Sequence, residues 1–425
     1  MTQRAYVVGD LHLGAGPGDP LEDFFDDQPF KDFCGRIVSA DTTLFLNGDI
    51  IDFAQIAPFD TPRDSHLLWT EESSRKKLET AITAHATFFA GLREFMANGG
   101  RVVYLVGNHD LDVFWPSIQQ RLREVVRADD RQLAFTIGAA RYEGVHIEHG
   151  FQFTPENCPD DVNDFVHTGA DGRQYLERVW GTDFMLQFFN DLERTHPYAD
   201  NIKPMLALLW HGLRKGWVGG RELLRVLLFL KRSGVPWRGI GSAVLDGPAP
   251  PLDPGAVATS FTDPEWQEVV AERVSDPVFL AEMQAAHASL DVCERARVLS
   301  SAPAEVVAPR IGESDASATL GLFRDGREER AARDRLKADG ITTVVFGHTH
   351  EIVDGTLGGC LYNYGTWLPS LDLKSPLVKA KIKASGITKA MLADPSLYRV
   401  DRWVVRIDPM PPHRTQAKLV TAEEP

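Results

Sequence analysis

The chain has 425 residues, 43% of them hydrophobic and 25% charged, with a formal net charge of -15. Its length suggests two or three domains with a substantial core, and its composition is ordinary for a soluble globular protein. So acidic a chain excludes a protein that coats nucleic acid over its whole surface, although a local basic patch remains compatible.

Taken in chain order, short apolar runs predict strands at Tyr6–Val8, Thr43–Leu46, Val102–Val106, Ala134–Ile137 and Val145–Glu148. Helices are predicted near Ser74–Ala97 and Pro116–Arg127. This alternation points to a layered α/β domain, in which polar residues just after the strands sit in loops at their carboxyl ends. From about Thr154 to Ile311 the pattern turns mostly helical, interrupted by prolines at 248, 250, 251 and 254. Strand signals return at Thr342–Phe346, Gly355–Leu357, Cys360–Tyr364 and Trp403–Ile407. The expected division is an α/β domain from both chain ends, residues 1–153 plus 312–410, around a helical insert at 154–311. Residues 411–425, preceded by Pro409 and opening with Pro411 and Pro412, read as a loosely held tail.

Cys34, Cys158, Cys293 and Cys360 are scattered and form no CxxC pair, which disfavours a disulfide framework or a thiolate zinc site. The first strand begins almost at the N-terminus with no signal peptide before it, and no apolar run approaches the ~18 residues of a bilayer span. The expected location is therefore the cytoplasm.

Five strand ends finish on metal-ligand residue types: Asp10-Leu11-His12, Asn47-Gly48-Asp49-Ile50-Ile51-Asp52, Gly107-Asn108-His109-Asp110, His149-Gly150 and Gly347-His348-Thr349-His350. Carboxylate oxygen and imidazole nitrogen suit Mn²⁺, Fe or Zn²⁺, and the adjoining glycines allow tight turns and close approach. Any one of these motifs alone reads as a packed or surface residue. Five in one order, each beside glycine or another ligand type, carry the signal together.

The order D-x-H, G-D-x-x-D, G-N-H-D, H-G, G-H-T-H resembles the calcineurin-like metallophosphoesterases, over about residues 1–153 and 340–370. The resemblance implies a four-layer α/β/β/α sandwich with a largely helical insert and a hydrolase of phosphate mono- or diesters. It implies two divalent ions, Mn²⁺ being the best match and Fe or Zn²⁺ compatible, with a bridging hydroxide between them. Asp10, His12 and His350 would bind the first ion, Asn108, His149 and His348 the second, and Asp49 both. His109 would act as general acid, oriented by Asp52. Asp110 and Asp112 either support that shell or cap the next helix. Phe53-Ala54 and Asp110 stand where protein Ser/Thr phosphatases carry Arg-Gly and Glu, which disfavours that branch.

Between Ile202 and Arg238 the chain turns basic: Lys203, Arg214, Lys215, Arg221, Arg225, Lys231, Arg232 and Arg238 against Glu222 alone. Three readings stay open for this stretch. It can lie on an anionic membrane surface, grip a phosphate-rich substrate as a cap, or pack as a helical hairpin with solvated basic residues. Rival functions are a nuclease, with nucleic acid not favoured, a nucleotide or lipid pyrophosphohydrolase, and a scaffold that binds phosphate or membrane without turnover. Tyr364 and Trp367 could line the site rim, with core packing expected for at least one. The physiological substrate and the oligomeric state are not encoded in any motif.

Overall fold

The fold, taken from a computed structural model, is described for residues 4–56, 66–154, 157–177, 179, 181–182, 185–186, 190–195, 202–203, 205–233, 249–290, 295, 326–373, 375–392, 394–410 and 414–425. Its strands, in chain order, are β1 (Ala5–Val8), β2 (Thr43–Asn47), β3 (Arg101–Leu105), β4 (Leu133–Thr136), β5 (Ala139–Tyr142), β6 (Val145–Glu148), β7 (Val166–Thr168), β8 (Gln174–Leu176), β9 (Ile202–Lys203), β10 (Thr343–Phe346), β11 (Ile352–Gly355), β12 (Leu361–Tyr364), β13 (Leu371–Asp372), β14 (Trp403–Met410) and β15 (Arg414–Thr421). Internal contacts divide the chain into two compact units. The first holds residues 1–197, 326–369 and 399–425, the second 198–325 and 370–398.

In the first unit a six-stranded sheet has the order β15-β14-β1-β2-β3-β4 and a five-stranded sheet the order β11-β12-β10-β6-β5. β1 to β4 run parallel, as do β6, β10 and β12. Strand periodicity sorts the side chains between two cores. Ala5, Val7, Phe45, Leu105, Val405 and Ile407 meet Val145, Ile147, Val345, Tyr362 and Tyr364 of the other sheet in one buried cluster. Tyr6, Val8, Leu44, Leu46 and Val102 point the opposite way. They pack with Phe30 and Phe33 of the helix Gln28–Ile37, Leu78 of Glu71–Ala84, Phe88 and Phe95 of Ala86–Ala97, and Ile118 and Leu122 of Pro116–Val126. Across the five-stranded sheet, Val344, Phe346 and Leu361 cover Ala331 and Ala332 of the helix Arg327–Arg335. The layers are therefore α/β/β/α, the fold class expected.

Several local expectations change. The long helix predicted over Ser74–Ala97 is broken at His85, whose backbone sits at φ -110° and ψ 41°. The His85 ring is clamped, Nδ1 at 2.8 Å from Asp27 Oδ1 and Nε2 at 3.2 Å from Glu22 Oε2. The strand predicted at Gly355–Leu357 lies earlier, at β11, and Leu357 occupies the left-handed region at φ 54°. The insert expected at 154–311 does not open as helix: β7 and β8 form an antiparallel hairpin. Residues 154–197 group with the first unit, where Thr182 Oγ1 donates to the Asn108 carbonyl and Asn190 Nδ2 to the Ala54 carbonyl. Residues 370–398 group with the second, where β13 pairs with β9. The tail expected at 411–425 is instead largely β15, paired with β14 from Trp403↔Thr421 to Met410↔Arg414. Ala417 and Leu419 of β15 join the core between the sheets while Val420 joins the outer one, so the strand is held by packing on both faces.

Within the second unit, three helices begin at Asp-Pro pairs. Asp253, Asp263 and Asp276 accept from Gly255, Glu265 and Val278 main-chain N–H, and the prolines occupy the first helical turn, where no N–H is needed. The basic stretch forms the helices Met205–Arg214 and Gly220–Ser233. Leu209, Leu213, Leu223, Leu224, Leu227 and Leu228 are buried, and Arg214, Lys215 and Arg221 are exposed. The side chains of Lys231 and Arg232, and all of Arg238, lie outside the described residues. Among the described residues no helix is long and apolar enough to cross a membrane.

Candidate metal centre

The loops after β1, β2, β3, β6 and β10 converge, and their backbones are bent in an unusual way. Eight described non-glycine residues have positive φ, and five of them are Asp10, His12, Asp49, His348 and His350. Such a conformation costs an ordinary side chain about 1–2 kcal/mol, and it persists where the surroundings over-determine it. Main-chain bonds between loops do so here: Leu11 and His12 N–H both donate to the Asp49 carbonyl, at 2.9 and 3.0 Å.

Asp10, His12 and His350 bring ligand atoms within 4.8 Å of one another, as do Asp49, His149 and His348. His12 Nδ1 lies 2.9 Å from Asp52 Oδ2, which fixes its proton there and leaves the Nε2 lone pair for the other side. That Nε2 stands 3.1 Å from His350 Nε2 and 3.9 Å from Asp49 Oδ2. His149 is oriented in the same fashion. Its Nδ1 donates to the Asn47 carbonyl at 2.7 Å, and its Nε2 faces Asp49 Oδ2 at 3.0 Å without hydrogen-bond alignment. His348 Nε2 meets Thr154 Oγ1 at 2.9 Å, leaving Nδ1 for another partner. Asn108 is buried, and its Oδ1 has no hydrogen-bond partner. A buried carbonyl oxygen and a buried imidazole nitrogen left in this way are costly unless they coordinate something.

The carboxylates are held from behind. Asp10 accepts His348 N–H on both oxygens, at 2.9 and 3.1 Å, and Asp49 Oδ1 accepts His109 N–H at 2.8 Å. Burial raises the cost of both charges, but the neighbouring imidazoles outweigh it, so Asp10 and Asp49 titrate below the usual carboxylate range. Gly107 is required by close approach, because a Cβ there would overlap the Asp49 carboxylate and main-chain nitrogen.

His109 sits beside this group. Its Nδ1 lies 2.7 Å from Asp52 Oδ2, the oxygen that also holds His12, and Asp52 Oδ1 accepts the N–H of Ala54 and Gln55 at 3.0 Å each. Burial lowers the His109 pKa, yet Asp52 and Asp49 reverse this and push it up to about 10. For His348, burial and the His149 charge act together and push the pKa down to about 3.

Asp110 caps no helix through its side chain. It accepts Ile50 N–H at 3.0 Å and the Tyr104 hydroxyl at 2.6 Å, joining the loops after β2 and β3, and burial raises it to about 6. Asp112 accepts the Ser74 hydroxyl at 2.5 Å and ties the same loop to the helix Glu71–Ala84. Trp367 is buried against Phe30 and Phe33, and Tyr364 is buried with its hydroxyl donating to the Asn47 carbonyl at 3.0 Å. Neither forms a rim. Sequence reasoning missed Thr154 on His348 and the second use of Asp52 on His12, since neither partner has a fixed spacing from the ring it holds.

No curated protein matches the chain. The sequence profile of the calcineurin-like phosphoesterase family matches residues 4–237, more than half of the chain and five of the seven candidate ligands, while β10 returns His348 and His350 to the same loops. The chain belongs to the calcineurin-like phosphoesterase family, whose members hydrolyse phosphoesters with divalent metal ions.

Proposed function

We propose that this site is a dinuclear centre for hydrolysis of phosphate mono- or diesters, with Asp10, His12 and His350 on one ion, Asn108, His149 and His348 on the other, and Asp49 on both. The observation that carries the reading is the convergence of two ligand groups, Asp10–His12–His350 and Asp49–His149–His348, each with its ligand atoms within 4.8 Å of one another. With Nδ1 of His12 committed to Asp52, a lone pair of His12 faces His350. That arrangement is repulsive unless a cation or proton lies between the rings. The donor set is oxygen and nitrogen without thiolate, which suits Mn²⁺, Fe or Zn²⁺, Mn²⁺ first. Bound ions supply charge neutralisation on phosphoryl oxygens and ease deprotonation of an attacking water.

The protein's own groups do the rest. Asp52 holds His109 through Nδ1, so Nε2 of that ring is the proton source for the departing oxygen. The His109 side chain is 14% exposed, which leaves it reachable. Recognition beyond a phosphoryl group is assigned to the second unit, whose exposed Arg214, Lys215 and Arg221 suit an anionic substrate.

Hydrolysis of bis-p-nitrophenyl phosphate with added Mn²⁺ tests the reading. Asp49→Asn should lower turnover by about 10²-fold or more; His109→Ala should do so on an alkyl phosphoester, whose departing oxygen needs a proton, and much less on bis-p-nitrophenyl phosphate. His109→Ala should keep its metal content, and full activity of that variant on a poor leaving group would remove the general-acid role.

A further inference from the structure

Beyond the ligands lies a four-residue run that the proposed chemistry does not use. Asn363, Tyr364 and Thr366, at the end of β12 and in the turn after it, are at most 8% exposed. Asn363 Nδ2 donates to the Gly347 carbonyl at 2.9 Å, and its Oδ1 accepts Gly365 N–H at 3.0 Å. Tyr364 donates to the Asn47 carbonyl at 3.0 Å, the same oxygen that takes Nδ1 of His149. Thr366 Oγ1 donates to the Asp10 carbonyl at 2.7 Å and accepts Leu368 N–H at 3.1 Å. Gly365 makes the turn at φ 74°, where a Cβ would also press on Ile352 Cγ1 at 2.9 Å.

Each accepting carbonyl belongs to a ligand-bearing loop. One is Asp10 itself, one lies two residues before Asp49, and one directly precedes His348. The Asn47 carbonyl lies 37 residues after Asp10 and the Gly347 carbonyl 300 residues after that, yet one short segment bonds to all three loops. Two of these carbonyls have another donor already, Thr349 N–H on Gly347 and His149 Nδ1 on Asn47, each at 2.7 Å, so the side-chain bonds do more than satisfy an oxygen. Fixed side-chain donors add a common reference for the left-handed residues Asp10, Asp49 and His348.

We propose that Asn363, Tyr364 and Thr366 are positioning residues for the metal centre, holding the loops of Asp10, Asp49 and His348 in register before any ion binds. This rests on the dinuclear reading above. None of the three is a catalytic residue: Asn363 and Thr366 reach the loops through the Gly347 and Asp10 carbonyls, and the Tyr364 hydroxyl, besides donating to the Asn47 carbonyl, lies against the Asp10 carboxylate that it helps to orient.

The test is Mn²⁺ titration of the full-length protein, with free ion followed by EPR and unfolding temperature measured alongside. Thr366→Val keeps the shape and removes the donor, and Tyr364→Phe removes one oxygen. Each should weaken Mn²⁺ binding by about 10- to 100-fold, the usual cost of losing a group that orients a ligand. Thr366→Ser, which keeps the hydroxyl, should restore binding to near the wild-type value. The inference is overturned if Thr366→Val and Tyr364→Phe bind Mn²⁺ like wild type while only their unfolding temperatures fall. If Thr366→Val does not fold, the Tyr364→Phe isotherm decides in the same way. Wild-type protein that takes up no Mn²⁺ removes the dinuclear reading itself, and this inference with it.

Discussion

Replacing Asp52 with asparagine changes one oxygen for an NH₂ group, and the structure says why that small change should be severe. Asp52 Oδ2 receives the Nδ1 protons of both His12 and His109, at 2.9 and 2.7 Å, and Oδ1 receives two main-chain N–H groups at 3.0 Å. All four partners are donors, and an asparagine side chain cannot accept from all four. If its oxygen keeps Ala54 and Gln55, the NH₂ faces two Nδ1 atoms. Both rings must then move their proton to Nε2, and the lone pair of His12 is withdrawn from His350 and Asp49. If the amide flips, two buried N–H groups meet a donor instead, at about 1–3 kcal/mol each. The first arrangement is the cheaper. It should weaken Mn²⁺ binding by about 10- to 100-fold, or roughly 1.4–2.7 kcal/mol. Turnover at saturating Mn²⁺ should fall by a further factor of about 10²–10⁴, because His109 loses the carboxylate that stabilises its cation. Mn²⁺ isotherms, turnover on an alkyl phosphoester whose leaving oxygen needs a proton, and ¹⁵N shifts of the ring nitrogens measure the three consequences. An Asp52→Asn protein that binds Mn²⁺ as wild type does and keeps its protons on Nδ1 would refute the reasoning.

Three further outcomes follow from other parts of the fold. Gly107→Ala forces the Asp49 carboxylate aside, so stability should drop by about 1–3 kcal/mol and turnover by about 10²-fold; wild-type turnover in this variant would mean that Asp49 is not held where described. Burial disfavours the charged form of His85, but Asp27 and Glu22 raise its pKa to about 9 against 6.5 in the unfolded chain, so the folded state favours the proton. The stabilisation, about 3 kcal/mol, is complete below about pH 6.5 and fades as pH climbs to about 9; urea midpoints should fall across that window, and His85→Gln should abolish the difference. Finally, the exposed Arg214, Lys215 and Arg221 should let the protein float with vesicles rich in phosphatidylglycerol at low salt and lose them at high salt. Sedimentation away from anionic vesicles at low salt would leave those residues as a solvated helix face.

The ligand-bearing loops were legible in the sequence because each follows a short strand-like run and carries or adjoins a glycine. Tyr6–Val8 before Asp10, and Thr43–Leu46 before Asp49, needed only local reading. What escaped notice depends on partners far away. β15 looked like a tail because Pro409, Pro411 and Pro412 mark strand breakers, yet β1 pairs with β14 only as far as Ala5↔Ile407. At Pro409 a missing N–H therefore costs the β1 ladder nothing. His85 looked like one more helical residue, and its break comes from Glu22 and Asp27, about sixty residues earlier. Thr366 carried no signal at all, since its acceptor is a main-chain oxygen, and Asn363 none either, since its partners Gly347, Thr349 and Glu328 have no fixed spacing from it.

The position of β1 between β2 and β14 has a consequence for how the chain matures on the ribosome. Until residues 403–410 have emerged, β1 presents one bare edge, an open template for another chain. The candidate ligands are likewise made far apart in time, since His348 and His350 are translated about two hundred residues after His149, the last of the other five. A nascent chain stalled inside 154–340 would therefore hold an uncovered strand and an incomplete ion site together.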